Sequence, residues 1–261
     1  MSLSPLFFWA AGFMAIALVG LFLSAKTIKI DLAKNGELIV ALLAILGTLV
    51  SVLLGMLVSS ADEQYRSLEE CVSSEATSIS EVFRIARGLP DAQKKAIQDQ
   101  CITYCEKVIS DDWPAMKNGE MSPAVTDIFI NISDVIMKFR PANDGEAAVQ
   151  GALLSTTNEL GQSRAVRVVA SRSTWTWRLL PLIITCAVVV LICSYLYVGK
   201  GSALLHSVLV GLVAITLGTN IGVIFLMTRP FSSEWTIQPD TFAVRAKIMR
   251  QYKDRPAFKS L

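Results

Sequence analysis

The sequence predicts an all-α membrane protein: four transmembrane helices, with a helical cytosolic insert between the second and third. Three observations carry that prediction. Hydrophobic residues make up 52% of the 261-residue chain and charged residues only 18%, and the mean hydropathy of +0.50 is too high for an ordinary water-soluble domain. Four apolar runs are each long enough to cross ~30 Å of hydrocarbon at ~1.5 Å per residue. The stretch between the second and third runs has its apolar residues at helical spacing and shows no strand pattern. The chain therefore divides into spans one and two (1–58), the insert (59–177), spans three and four (178–228) and a basic tail (229–261).

Residues 5–25 form the first apolar run. It has no positive segment before it and is long enough to remain in the membrane, so it reads as an anchor and not as a cleaved leader. A short connection comes next, with Asn35-Gly36 as its turn signal. Residues 38–58 are the second span. No Pro interrupts the stretch beyond it, and Tyr65, Leu68, Val72, Ala76, Ile79, Phe83 and Ala86 recur at steps of three and four. The same helix is expected to continue into water to about Arg87, with Gly88 suited to its C-cap and Pro90 just beyond.

The second span has two unlike sides. Ala44, Gly47, Thr48, Ser51, Gly55 and Ser59 share one face, while Leu46, Leu49, Val50, Leu53 and Leu57 populate the other. Small residues every fourth position let helix backbones approach closely in lipid. The same face of small and hydroxyl-bearing side chains can also line a water-filled path. Both readings stay open at this level.

Within the insert, Asp91 opens a helix with Ile97, Cys101, Tyr104, Cys105 and Val108 as its stripe, and Pro114 and Gly119 are expected to break it. Ser122 and Pro123 begin another, with Val125, Ile128, Phe129, Ile132, Ile136 and Phe139 on one face, and Pro141 ends it. From Asp144 no breaker occurs before Pro181. That helix is predicted to run through Arg164, Arg167 and Arg172 and to enter the membrane at Trp175, Trp177 and Arg178, residue types that favour the headgroup level. Residues 178–198 are the third span, 199–202 a tight connection, and 203–227 the fourth span. In the fourth, Gly211, Ala214, Gly218 and Gly222 are small, and Thr216, Thr219 and Asn220 are polar. Asn220 in hydrocarbon needs a partner on another helix or contact with water.

Basic residues near the spans are Arg66, Arg164, Arg167, Arg172, Arg178, Arg229, Arg245 and Lys247 on the side of the insert, against Lys26, Lys29, Lys34 and Lys200 on the other. The positive-inside tendency puts both termini and the insert in the cytoplasm. A basic tail beside a membrane suits anionic headgroups, or the acidic insert, better than nucleic acid. The five cysteines give no disulfide framework, and Cys101 with Cys105 lacks the further ligands of a zinc site. Asp111-Asp112 are neighbours pointing in different directions, read as solvated at a helix end. No nucleophile with a base, phosphate loop or cofactor motif is present, and the spans hold no acidic residue, so neither an enzyme nor a proton pump is indicated.

Several local patterns then combine: Glu75-Ala76, Arg87-Gly88-Leu89-Pro90, the Tyr104 to Trp113 segment, and Arg229-Pro230-Phe231-Ser232 after the last span. In this order, over nearly the whole chain, they resemble the bacterial bestrophin-like membrane proteins, a family grouped as a domain of unknown function and distantly related to bestrophin anion channels. Two positions depart from the family pattern: Asp112, where Glu is common, and Ser233, where Gly is common. The resemblance implies a pentamer in which the second span and its continuation line an anion pore. The acidic calcium-binding run of true bestrophins is missing, since Phe231 is followed by Ser232, Ser233, Glu234 and Trp235, so calcium gating is not implied. Their aromatic pore constrictions have no counterpart in the second span either.

Residues and resemblance together read as a homo-oligomeric ion channel of the bacterial inner membrane, with inorganic anions as the permeant species and no cofactor or metal. Gly47, Thr48, Ser51, Gly55 and Ser59 are the candidate pore-lining residues, and Asn220 and Thr216 the supporting polar ones. Glu75 belongs to a vestibule, a solvated helix face or an ion pair with an Arg of the insert. Arg229 anchors in headgroups, caps the preceding helix or pairs with the insert. The rival is a non-conducting membrane scaffold or sensor whose cytosolic helices bind a protein, with Trp235 and the tail as docking elements.

Overall fold

The computed structural model of the chain describes residues 3–27, 36–172, 175–196 and 203–253, which form helices and turns with no strand among them. In chain order the helices are α1 (Ser4–Thr27), α2 (Gly36–Ile85), α3 (Asp91–Lys107), α4 (Trp113–Met116), α5 (Pro123–Lys138), α6 (Asp144–Ser171), α7 (Trp175–Leu196), α8 (Ala203–Met227) and α9 (Asp240–Lys253). They belong to two compact units. One comprises Met1–Tyr65 and Thr174–Trp235, the other Arg66–Ser173 and Thr236–Leu261.

In the first unit α1, α2 and α8 are long and apolar enough to cross a membrane, whereas Leu180–Leu196 of α7 is a shorter apolar helix. Trp175, Trp177 and Arg178, expected at the headgroup level, have side chains outside the described residues. Helix α1 packs along α8. The Trp9 ring lies tilted against Phe225 with centroids 5.0 Å apart, and the Tyr195 hydroxyl donates to the Ala17 carbonyl at 2.9 Å. Val50 and Leu54 of α2 join Ile183, Ala187, Ala214 and Leu217 in this unit's core.

The second unit is a helical bundle with most of its charged residues outside and a largely apolar interior. Val72, Ile79 and Val82 from the far half of α2 are buried, as are Ile97 and Cys105 of α3, Ile132 and Ile136 of α5, Leu153 and Leu160 of α6, and Phe242 and Met249 of α9. Asn143 caps α6 by accepting from the Glu146 N–H at 2.9 Å, while Glu146 reaches back to the Ala142 N–H at 2.8 Å, a reciprocal N-terminal box.

Three local expectations need correction. Helix α6 stops at Ser171, and Arg172 leaves helical geometry at φ −95° and ψ 2°, short of the expected run to Trp175; residues 173–174 lie outside the described residues. The cause is local competition for the backbone. The Ser171 hydroxyl donates to the Val168 carbonyl at 2.7 Å, and Arg172 Nε donates to the Gly119 carbonyl at 3.0 Å. Pro114 does not break its helix, because a π-helical turn at Val108–Asp112 widens the coil just ahead of it and Pro114 falls in the first turn of α4. The break comes at Gly119, the one described glycine with positive φ, at 72°.

Gly88, finally, is no left-handed cap. It lies in a 3₁₀ turn, Ala86–Gly88, and a Cβ there would meet Val149 Cγ2 at 2.8 Å, so the missing side chain serves close approach to α6.

Candidate functional site

Two features of α2 stand out, one in each unit. The first is its small-residue face. Thr48, Ser51, Gly55 and Ser59 are exposed and Gly47 is half-buried, while Val50 and Leu54 on the opposite side are buried. A Cβ added at Gly47 or Gly55 would meet nothing within 4 Å. The Thr48 hydroxyl donates to its own helix, to the Ala44 carbonyl at 2.8 Å, which satisfies its proton and leaves its lone pairs facing outward. Large apolar residues of the same span are open as well, Ile45, Leu49, Val52 and Met56 being 59%, 62%, 59% and 68% exposed, so the small, hydroxyl-bearing side is one part of a wider uncovered surface of α2.

Asn220 and Thr216 lie in α8, in the same unit. Thr216 donates to the Leu212 carbonyl at 3.0 Å, and Asn220 Nδ2 donates to the Thr216 carbonyl at 2.9 Å. One amide N–H is therefore taken up by its own helix. Arg229 lies over the Phe225 ring at 4.4 Å from its centroid, and its carbonyl accepts from the N–H groups of Ser232 and Ser233, forming the turn that closes α8. Trp235 is buried, and its carbonyl accepts from the Tyr65 hydroxyl at 3.1 Å. It is part of the fold and offers no docking side chain.

The second feature is a buried ion cluster in the other unit. Glu75, on α2, and Arg167, on α6, are both fully buried and paired in a fork: Nε donates to Oε2 at 2.6 Å and Nη2 to Oε1 at 2.9 Å. Arg167 Nη2 also donates to Asp112 Oδ2 at 3.0 Å, and Asp112 Oδ1 accepts from the Ser122 N–H at 2.8 Å. The Tyr104 hydroxyl donates to Glu75 Oε1 at 2.7 Å, and the guanidinium lies 5.3 Å from the Trp113 ring centroid. Asp112 is therefore not solvated at a helix end. The π-helical turn rotates it inward, while Asp111 faces Lys107 at 3.0 Å on the outer side.

The electrostatics hold the protons of Arg167 and Tyr104 in place. Burial works against the Arg167 charge, but the Glu75 carboxylate overrides it and holds the guanidinium above its ordinary range. Burial, and then the Glu75 charge, push the Tyr104 phenol well up, so it stays a hydrogen-bond donor. Burial likewise raises the Cys101 and Cys105 thiols, making them inert. Among the described residues the buried charges balance, Glu75 and Asp112 against Arg164 and Arg167, and no group of His, Cys, Asp and Glu could hold a metal. The cluster fastens α2 to α6 and to the π-helical turn.

Of the readings for Glu75, the ion pair with an Arg of the insert is the one the structure shows; the sequence reading did not single out Arg167 for it and missed Asp112, though a signal existed. Leu153, Leu160 and Arg167 recur at seven-residue spacing on one stripe of α6, and Leu68, Val72, Glu75 and Ile79 at steps of four and three on α2. One charge of opposite sign on each inward stripe must be paired. The tail, too, finds its partner within the chain: Arg245 donates to Thr77 Oγ1 at 3.2 Å, Arg250 pairs with Glu106 and Lys253 with Asp99.

The fold recurs among solved structures. A variant of a bacterial bestrophin homologue from Klebsiella pneumoniae has a TM-score of 0.67 at 10% identity, covering 97% of this chain and 99% of that one. A structure described as a membrane protein has a TM-score of 0.64 at 9% identity, over 97% and 98% of the two chains. A second Klebsiella pneumoniae variant gives 0.63 at 11% identity, over 97% and 99%. At such identities the likeness is one of fold. No curated protein sequence matches the chain. The model of the bestrophin-like domain matches residues 11–242, nearly the whole sequence, and the chain belongs to the bestrophin-like family.

Proposed function

We propose that this chain is the protomer of a homo-oligomeric ion channel of the bacterial inner membrane, with α2 as the lining helix. The observation that carries the reading is the small, hydroxyl-bearing part of the uncovered surface of α2. A long apolar helix leaves Thr48, Ser51, Gly55 and Ser59 without cover inside the protomer, where lipid contact would favour large apolar groups. Gathered around an axis, such faces give a path whose hydroxyl and backbone oxygens replace part of an ion's hydration. Membership of a channel-like family supports the same reading. In this arrangement α7 completes four spans, and the water-soluble unit lies in the cytoplasm, as the distribution of basic residues favours.

The sign of the permeant ion depends on the charges that continue the stripe. Beyond Ser59, α2 bears Asp62, Glu63, Glu69 and Glu70 against Arg66, all of them exposed or half-exposed. Repeated around a ring, this excess of carboxylates concentrates cations at the entrance and repels anions. Charge therefore favours cations in place of the anions that the family resemblance implies.

The test is reconstitution of the purified protein in liposomes, with potassium and chloride fluxes measured under opposed gradients. Potassium flux above chloride flux is expected. Chloride above potassium would restore the anion reading, and absence of both from a correctly assembled oligomer would leave the scaffold.

A further inference from the structure

Helix α9 is apolar on both of its flanks. One flank buries Phe242, Ala246 and Met249 within its own unit; the other presents Val244, Ile248 and Tyr252, one turn apart and 56%, 40% and 43% exposed. Lys247 is exposed beside them. A surface helix ordinarily turns polar side chains to water, and one that is apolar on two sides is covered on two sides. Three large apolar groups in a row on a water-soluble unit make a strip, unlike the single exposures that every surface has.

Helix α5 carries a second strip on the same unit. Ile130 and Met137, two turns apart, are 49% and 56% exposed. Asp127 is exposed next to them, and Asp134 there pairs with Lys138 at 2.6 Å. Both α5 and α9 pack on α3, so one helix sets the spacing between the two strips. Their charges are opposite, Lys247 on one and Asp127 on the other.

We propose that the α9 strip of one copy docks on the α5 strip of the next, Lys247 against Asp127, closing the oligomer head to tail through its water-soluble unit. This inference rests on the homo-oligomer proposed above and names the surfaces that hold it together. A ring of identical chains needs two different surfaces per copy, one that gives and one that receives, and these two strips meet that need. A lipid surface fits α9 poorly. A helix that binds anionic headgroups offers several free cations along its polar side, but here Arg245 is turned to Thr77, Arg250 to Glu106 and Lys253 to Asp99.

The experiment uses the full chain in mild detergent, with assembly mass followed by light scattering on dilution. Val244→Asp with Ile248→Asp is expected to shift the protein to monomer at concentrations where the parent stays assembled. Far-ultraviolet helicity should be unchanged, because both side chains face outward. Lys247→Glu is expected to raise the dissociation midpoint about tenfold, and Asp127→Lys in the same chain to restore it.

A double-aspartate variant that assembles like the parent overturns the proposal and leaves the channel reading intact. The same variant assembled but no longer bound to anionic vesicles assigns the strip to lipid, which also overturns it. A monomeric parent chain removes the oligomer itself, and the channel reading falls with it.

Discussion

In α8, a Cβ added at Gly218 would lie 2.7 Å from Phe13 Cβ, and one at Gly222 would lie 2.9 Å from Trp9 Cγ; in α2, a Cβ at Gly47 or Gly55 would meet nothing within 4 Å. Both helices carry small residues at four-residue spacing, so the sequence signal is the same. In α8 the missing side chains admit two aromatic rings of α1, and the close approach is what binds the two helices where lipid supplies no hydrophobic drive. In α2 they admit nothing from the same chain. A small-residue stripe thus tells where backbone can be approached, and the partner decides whether the approach is packing or passage.

Gly55→Leu and Ser51→Leu are expected to abolish ion flux in liposomes while changing protomer stability by no more than about 0.5 kcal/mol, because each adds bulk to an open face. Flux at parental level from either variant, correctly assembled, would show that this face lines nothing. The far half of α2 is held differently, by charge, and its anchor is tested by Arg167→Met. Two buried carboxylates then lose their cation, and a loss of ~3–5 kcal/mol in denaturant unfolding is expected.

At the α8 end, Gly222→Leu forces a side chain into Trp9 and is expected to cost about 1–3 kcal/mol in thermal unfolding, with flux falling only as the folded fraction falls. Loss of flux from a fully folded Gly222→Leu protein would put the path beside α8. The smallest effect is assigned to Asn220→Leu. Its amide bonds only its own helix, so a change under about 1 kcal/mol is expected, with flux retained. A large stability loss there would reveal a partner on another chain.

Much of the architecture was legible because it comes from solvent preference at fixed period. The continuation of α2 past the apolar run was visible in the spacing of Tyr65, Leu68, Val72 and Ile79, and it forms as one helix, Gly36–Ile85. What failed were inferences from single residues. Pro114 looked like a breaker, since a π-helical turn that absorbs a proline leaves no mark in periodicity. Gly88 looked like a cap, although its real constraint is Val149, far along the chain on α6. Asp112 looked like a solvated end, because the same turn that tolerates Pro114 also redirects the residue inward.

The amino-acid sequence by itself determined which segments are helices, which of them are apolar enough for lipid, and which flank of each is bulky or small, because these depend on local composition and on a repeat of about 3.6 residues. Only the tertiary structure decided which flank is covered: that Gly218 and Gly222 receive Phe13 and Trp9, that Glu75 meets Arg167 ninety-two residues on, and that the basic tail returns to the insert. The reason is physical. Burial and hydrogen bonding are properties of pairs of surfaces, and a single surface, even one that calls for a partner, does not say which distant segment supplies it.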